Sequence, residues 1–472
     1  METNQNRFVY LDNIRNILVY NVALYHVFLM FAYPLTFWAA VSAKQGSSRF
    51  YETGFMAMNI YMMPCLLFIA ALFILPSLNK GTPLEYIKNR FLRLYVPVIV
   101  FLFCVSDVFF QLLSTRLNSI SPAYLETFLN FWRSFMDIPG IIYVTRSADG
   151  LKTSFNFLHS WFLTLLFFVT LVVVLLSLLF KRKNSEERKV DSRKKIILKT
   201  IIFAVIFSIV YTAVRLLYAR FGINPTSWII IGKAVQFLNY QIWELIPLFL
   251  FGLYVYKKEW LTRGDIGSWK MWGAMAFIVL ALYVLLTQII LMPVIEEMMK
   301  VAEQNLLFNN KMAGPAVAPS LQLAILCTWL LIPLVCVFLL MFFLSFAKRF
   351  FNKPNAITTF CSKHSINVYI LHYIPVLILQ YTFLNVPITP IVKVILIMII
   401  IIPACLWLSH RLVYPYPKIA IAFFVALKLV SLATGFTFYY WALLALIFFS
   451  FAGAVYESTR YMVTQKAGLK PA

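Results

Sequence analysis

Apolar runs, each close to the roughly 20 residues that a helix needs to cross a hydrocarbon core of about 30 Å, recur from Ile17 to Tyr456, and no other feature constrains the fold as strongly. A 472-residue chain that is 62% hydrophobic and 12% charged cannot hide that much apolar surface in a soluble body. A soluble enzyme is excluded. The runs fall near 16–40, 55–78, 91–114, 158–180, 196–219, 236–256, 271–294, 321–346, 365–384, 389–409, 419–434 and 438–456. They predict an all-α, polytopic integral membrane helical bundle: about ten spans in 1–412, then a C-terminal transmembrane hairpin and short tail in 413–472.

The formal charge of +23 is compatible with nucleic acid or with basic loops that orient a many-span protein. Its distribution separates the two. With a cytoplasmic N-terminus, alternate connections hold most of the 41 Lys and Arg, while Arg215, Lys393 and Lys428 stay within spans. This predicts both termini cytoplasmic in the plasma (inner) membrane. The segment from Lys181 to Lys199 is the strongest inside marker and faces membrane lipid; no aromatic residues interleave it for base stacking, so no nucleic-acid partner is expected. Charged and polar residues run through Asn16 without a cleavage site, which predicts that the first span is retained. The six cysteines lie mostly in apolar runs without a C-x-x-C pair and read as small buried hydrophobes.

The chemistry begins at Tyr10-Leu11-Asp12-Asn13-Ile14-Arg15, with His26 ten intervening residues beyond Arg15. On a helix His26 lies about 16 Å deeper than Arg15, near the bilayer middle. Ionisable groups there face the protein interior and have a partner or a task. Asp12 and Arg15 share a helix face and can pair. Arg90 and Arg93 open the third span on one face, where two forked guanidiniums suit phosphates, although their position alone favours snorkelling to lipid headgroups, since basic residues at inner span ends are routine. His159, Ser160 and Trp161 begin the fourth span, where a Trp also serves as an interface anchor. His372 places a second imidazole in a late span. Asp107 and Glu244 are the acids inside spans, and Arg215 can neutralise one of them across a helix interface. The connection from about Ser114 to Phe157, with Pro122, Trp132, Arg133, Asp137, Tyr143, Arg146 and Asp149, suits a sugar acceptor or an interfacial amphipathic helix. No metal is expected, since no histidines stand at ligand spacing.

Taken together, Leu11-Asp12-x-x-Arg15 with His26, Arg90-x-x-Arg93, Trp161-Phe162-Leu163, Phe249-Leu250-Phe251-Gly252 and Ser365-x-x-Val368-Tyr369-x-x-His372 resemble, in order and spacing over residues 7–412, the membrane-bound acyltransferase family 3. The opening, with Arg7, and Met63-Pro64 are similar to its glucan-succinylating branch. Where the family commonly has Phe-Phe-x-x-Ser-Gly in the second span, this chain reads Phe68-Ile69-Ala70-Ala71-Leu72-Phe73, losing a point of close backbone approach. The resemblance implies an O-acyltransferase with no permanently bound cofactor. Acyl-CoA (acetyl or succinyl) is the donor, and a hydroxyl of an extracytoplasmic carbohydrate or glycan is the acceptor. His26 is then catalytic, as general base or acyl carrier; Arg15, Arg90 and Arg93 hold CoA phosphates; Asp12, Asp107, His159, Trp161, Glu244 and His372 support the site or the acceptor. The competing class is a proton-coupled transporter or flippase, with His26, Asp107, Arg215, Glu244 and His372 as its path.

Overall fold

The computed structural model describes residues 8–466 apart from 34, 37–38, 44–45, 79–80, 117–122, 145–154, 180–189, 226, 295 and 298–318. Arg7, Pro122, Arg146, Asp149, the Lys181–Lys189 part of the basic segment and the last six residues lie outside the described residues.

The helices in order are α1 (Val9–Phe28), α2 (Arg49–Leu78), α3 (Pro83–Arg90), a π-helical turn (Phe91–Tyr95) leading into α4 (Val96–Arg116), α5 (Tyr124–Met136), α6 (Trp161–Leu179), α7 (Arg193–Arg220), α8 (Ile242–Lys257), α9 (Trp269–Leu286), α10 (Pro319–Phe350), α11 (Ala356–Leu371), α12 (Tyr373–Phe383), α13 (Pro390–Leu408), α14 (Pro417–Thr434) and α15 (Phe436–Lys466). This is the all-α architecture that the apolar runs predict, because a helix satisfies its backbone internally where no water is present. Among the described residues nine helices are long and apolar enough to cross a membrane, and α11 with α12, bent by 60°, make a tenth if they count as one span. The twelve predicted segments exceed that number by α1 and α8. Asp12, Asn13, Arg15, Asn16, Asn21 and His26 make α1 polar, and α8 has only 16 residues.

Two predicted boundaries are corrected. The first run, 16–40, is helical only to Phe28. Beyond it the backbone turns, with Thr36 Oγ1 donating to Leu29 O (2.8 Å) and Ser47 Oγ to Phe31 O and Tyr33 O (2.8 Å each); buried carbonyls need such donors once the helix stops. Apolar composition alone does not distinguish that buried irregular chain from helix. The segment after Ser114 contains α5, whose buried Tyr124, Thr127, Phe128 and Phe131 form one helical stripe. Phe128 meets Phe103 edge-on and Phe131 packs on Phe110, so this face is covered by α4.

The chain forms two compact units: residues up to Leu18, Thr53–Val98 and Phe135–Asn355 in the first; Val19–Glu52, Ile99–Ser134 and everything from Ala356 in the second. In the first, α10 packs along α7 and α9, and three short strands that the apolar runs do not predict, β1 (Ile142–Val144), β2 (Trp228–Ile231) and β3 (Val235–Leu238), form an antiparallel sheet in the order β1-β2-β3. Ile230 lies opposite Tyr143 and Gln236. Gly232 and Lys233 have φ of 57° and 55°, and Ala234 N donates to Ile231 O (3.0 Å), the two-residue turn whose twist matches paired strands. At the foot of α7, the Lys199 ammonium, followed by the Trp260 indole N–H, holds the Asp191 carboxyl below the usual carboxylate range. In the second unit, α13 and α14 pack on α15, and α12 contacts both α13 and α15.

The Phe249-x-x-Gly252 motif is explained by packing. A Cβ at Gly252 would stand 2.7 Å from Phe68 O and 2.8 Å from the Ala71 Cβ. The close approach that α2 loses at Ala70-Ala71 is therefore supplied by α8 from the opposite side. Gly252→Ala is expected to destabilise the fold by about 1–3 kcal/mol, the usual cost of overpacking. Thermal unfolding in detergent should show this as a lowered midpoint, with lipid-facing Leu250→Ala close to wild type.

Candidate active site

α1 runs unbroken from Arg15 to His26, so the two are about 16 Å apart along its axis. Arg15 Nη2 pairs with Asp12 Oδ1 at 3.1 Å, the one-turn pairing expected of their spacing. His26 lies in the last turn of α1 and is 9% exposed. Its ring meets Tyr25 edge-on at 5.3 Å, Tyr373 edge-on at 4.9 Å and His372 at 5.4 Å between centroids. His26 and His372, 346 positions apart in the chain, thus share one site.

His372 stands at the bend between α11 and α12. Its Nδ1 lies 3.1 Å from Val368 O. A carbonyl only accepts, so the proton of the neutral ring belongs on Nδ1 and the lone pair on Nε2. Eight residues on, two helical turns away on the same face, Gln380 Nε2 donates to His26 O (2.8 Å) and Val27 O (3.2 Å). Those are two of the last four carbonyls of α1, which have no partner within their own helix. Tyr25 O and Phe28 O accept from Leu29 N and Phe31 N, so every carbonyl of the final turn is satisfied. Beside the imidazole lies a small cavity, of about the size of one water, lined by Leu29, Ala39–Val41, Phe109, Tyr373, Val376, Leu377 and Gln380.

The arginine pair belongs to the first unit. Thr82 and Glu85 form a reciprocal cap at the start of α3, with Pro83 in its first turn. Arg90 is half-buried, with Nε donating to the Tyr86 hydroxyl (3.1 Å) and the guanidinium 5.1 Å from that ring's centroid. Arg93 is exposed on the π turn, whose extra residue rotates it from the place that a continuous α-helix would give it; such turns are frequent at functional sites. Tyr95, closing the turn, donates to Ala234 O (3.0 Å).

His159 and Trp161 are buried, so Trp161 is not a lipid-facing anchor; it lies 6.1 Å from Trp228. The backbone before them is held in an unusual form. Leu158 has φ of 50°, its N–H donating to Asn156 Oδ1 (2.7 Å), while Phe157 N donates to Gln236 Oε1 (2.7 Å). A β-strand glutamine thus helps fix a strained turn, a kind of geometry that clusters at functional sites. Glu244 accepts from the Tyr211 hydroxyl at 2.7 Å. Arg215 lies between aromatic faces, 5.4 Å from Tyr240 and 4.9 Å from Trp329.

Asp107 takes a partner that its own sequence context does not reveal. Its Oδ2 accepts from the Lys428 ammonium, both side chains are fully buried, and Lys428 also donates to the Tyr124 hydroxyl at 2.7 Å. The rings of Tyr124, Phe128 and Tyr439 surround the ammonium at 4.7–5.3 Å. Of the residues singled out from sequence, Asp12, Arg15, Arg90, Arg93, His159, Trp161 and Glu244 belong to the first unit, and His26, Asp107 and His372 to the second. Tyr373, Gln380, Lys428 and Ala39–Val41 are additions from the structure. A glutamine two turns beyond His372 is the one that periodicity could have indicated.

A family model described as an acyltransferase domain, acyltransferase family 3, matches residues 8–410. No curated protein and no solved structure matches the chain. Lys428 lies beyond the matched residues, its partner Asp107 within them.

The buried pair has an unequal expected response to single and double substitution. Asp107→Leu or Lys428→Met alone leaves one buried charge uncompensated and should cost about 3–5 kcal/mol, whereas the double variant Asp107→Leu with Lys428→Met should recover most of it. Unfolding in detergent, run as a double-mutant cycle, measures the coupling.

Proposed function

The chain belongs to the membrane-bound acyltransferase family 3, and from that premise we propose that this multi-pass membrane enzyme moves an acetyl or succinyl group from cytoplasmic acyl-CoA to a hydroxyl of an extracytoplasmic carbohydrate or glycan. The observation that carries this reading is the buried His26 at the end of α1, beside His372 and a small cavity. The excess of Lys and Arg in alternate connections supports cytoplasmic termini in the plasma membrane.

In this reading a neutral His26 takes the proton of the acceptor hydroxyl as its oxygen attacks the thioester carbonyl. The C–S bond then breaks, the new ester remains on the acceptor, and the imidazolium returns its proton to the CoA thiolate. The negative end of the α1 dipole lies at the last turn and stabilises that transient imidazolium. His372 packs against the ring and, with its proton held by Val368 O, presents no positive charge to oppose it. Arg15, Arg90 and Arg93 hold the CoA phosphates by charge-assisted hydrogen bonds, with Asp12 steadying Arg15. His159, Trp161 and Glu244 serve the acceptor. Asp107 supports the bundle through Lys428.

His26→Ala should lower CoA release in the presence of envelope glycans by about 10²–10⁴-fold, the range for loss of a general base, with acyl-CoA binding retained. Arg90→Ala and Arg93→Ala should each weaken acyl-CoA binding by roughly 10–100-fold, the equivalent of about 1.5–3 kcal/mol for a hydrogen bond to charge. Titration calorimetry in nanodiscs separates the two effects, and a wild-type protein that binds neither CoA nor any acyl-CoA overturns the reading.

A further inference from the structure

We infer that the acceptor is an acidic carbohydrate whose carboxylate or phosphate is taken by Arg215, held between Tyr240 and Trp329; this rests on the acyltransferase reading, in which Glu244 of the same cluster serves the acceptor. All of these residues belong to the first unit. The guanidinium lies 5.4 Å from the Tyr240 ring centroid and 4.9 Å from that of Trp329. Contacts with ring faces place none of its five N–H groups on an oxygen. Among the described residues no acceptor takes one of them, and no carboxylate stands within ion-pair distance. Glu244 acts on Arg215 through space but spends its Oε1 on the Tyr211 hydroxyl. A forked guanidinium with its donors open suits a carboxylate or a phosphate, which it binds through two parallel hydrogen bonds.

Position separates this arginine from the CoA side. α7 is unbroken from Arg193 to Arg220, which puts Arg215 about 30 Å beyond Lys195 along the helix axis, one hydrocarbon thickness. With the basic segment before α7 at the cytoplasmic face, Arg215 reaches the opposite face, where an acceptor arrives and CoA does not. Ser208, Tyr211 and Thr212 belong to the buried stripe of α7, which Arg215 continues three and four residues on. Ile209, Val210, Leu216 and Leu217 are exposed on the side that meets lipid. An arginine that snorkels to headgroups starts from the lipid side; this one starts from the buried stripe. Asn59 of α2 donates its Nδ2 to the Tyr240 hydroxyl (3.3 Å), and Asn59, Arg215, Tyr240 and Trp329 are each half-buried, so a ligand can reach the guanidinium. One turn before Arg215, Thr212 Oγ1 is buried without a partner among the described residues, as is Gln241 Oε1 next to Tyr240. Sugar hydroxyls supply the donors that such oxygens lack, so the anion belongs to a carbohydrate rather than to a lipid.

The test measures binding of glucuronate, glucose 1-phosphate and uncharged glucose to wild-type protein in phosphatidylcholine nanodiscs by saturation-transfer NMR. The two acids should bind about tenfold or more tightly than glucose, the gain expected of a hydrogen bond to a charged group. Arg215→Gln should remove that preference and leave glucose unchanged. Arg215→Lys, a point charge without the fork, should retain only part of it. Equal binding of the three sugars, no binding of the acids, or a preference for the acids that survives Arg215→Gln overturns the inference. So does a wild-type protein that retains phosphatidylglycerol through Arg215 and shows no preference among the sugars, since the oxyanion is then a lipid headgroup. Acetyl-CoA binding is measured on the same preparations. Acetyl-CoA binding without a preference for the acids sinks the inference alone, whereas that preference without binding of CoA or acetyl-CoA leaves an anion site and removes the acyltransferase reading. The wild-type series decides without recourse to either variant.

Discussion

A polar group inside a bilayer has no water to fall back on, and the partners that replace water determine this structure more than any apolar contact does. Three cations placed by the sequence within predicted spans illustrate three solutions. Lys428 takes a carboxylate, a phenol and aromatic faces; Lys393 takes the carbonyl of Leu384 at the end of α12; Arg215 lies against two aromatic rings. The hydroxyls of Thr36 and Ser47 perform the same service for the backbone that leaves α1. Each lets the chain carry a polar group or a helix end into the interior.

Helix ends inside the protein are what make the site. A continuous helix from 16 to 40 would bury His26 in mid-helix, with neighbouring carbonyls bonded within the helix and no cavity alongside. Ending α1 at Phe28 frees those carbonyls, and Gln380 from α12 satisfies the nearest of them. The bend at His372 brings α12 into reach of them while α11 continues in another direction. Two interrupted helices thereby hold two imidazoles 5.4 Å apart, one in the last turn of α1 and the other at the junction of α11 and α12.

The fold class, and most spans to within a few residues, were legible in the sequence because length and apolarity are properties of a run by itself. The order of Arg15, His26, Arg90, Arg93, Trp161 and His372 was likewise visible, and so was the pairing of Asp12 with Arg15. What escaped was anything fixed by a distant partner. Asp107 and Glu244 looked alike as acids in apolar runs, yet one meets Lys428 and the other Tyr211. The strands hid in apolar segments, with Gly232-Lys233 the visible sign of a turn. Trp161 read as an interface residue because its position near a span end does not show Trp228 folding over it.

The separation between Asp107 and Lys428 is 321 residues, and it bears on how the protein is made. At roughly 5–20 residues per second, α4 leaves the ribosome some 15–60 seconds before the ammonium that neutralises it. For that interval a carboxylate lacks its counterion, and the early helices cannot close into their final packing. The last two helices therefore act as a clasp on a half-built bundle, and a chain cut short before Lys428 would display an unpaired acid in its interior, the kind of defect by which membrane quality control distinguishes unfinished proteins from finished ones.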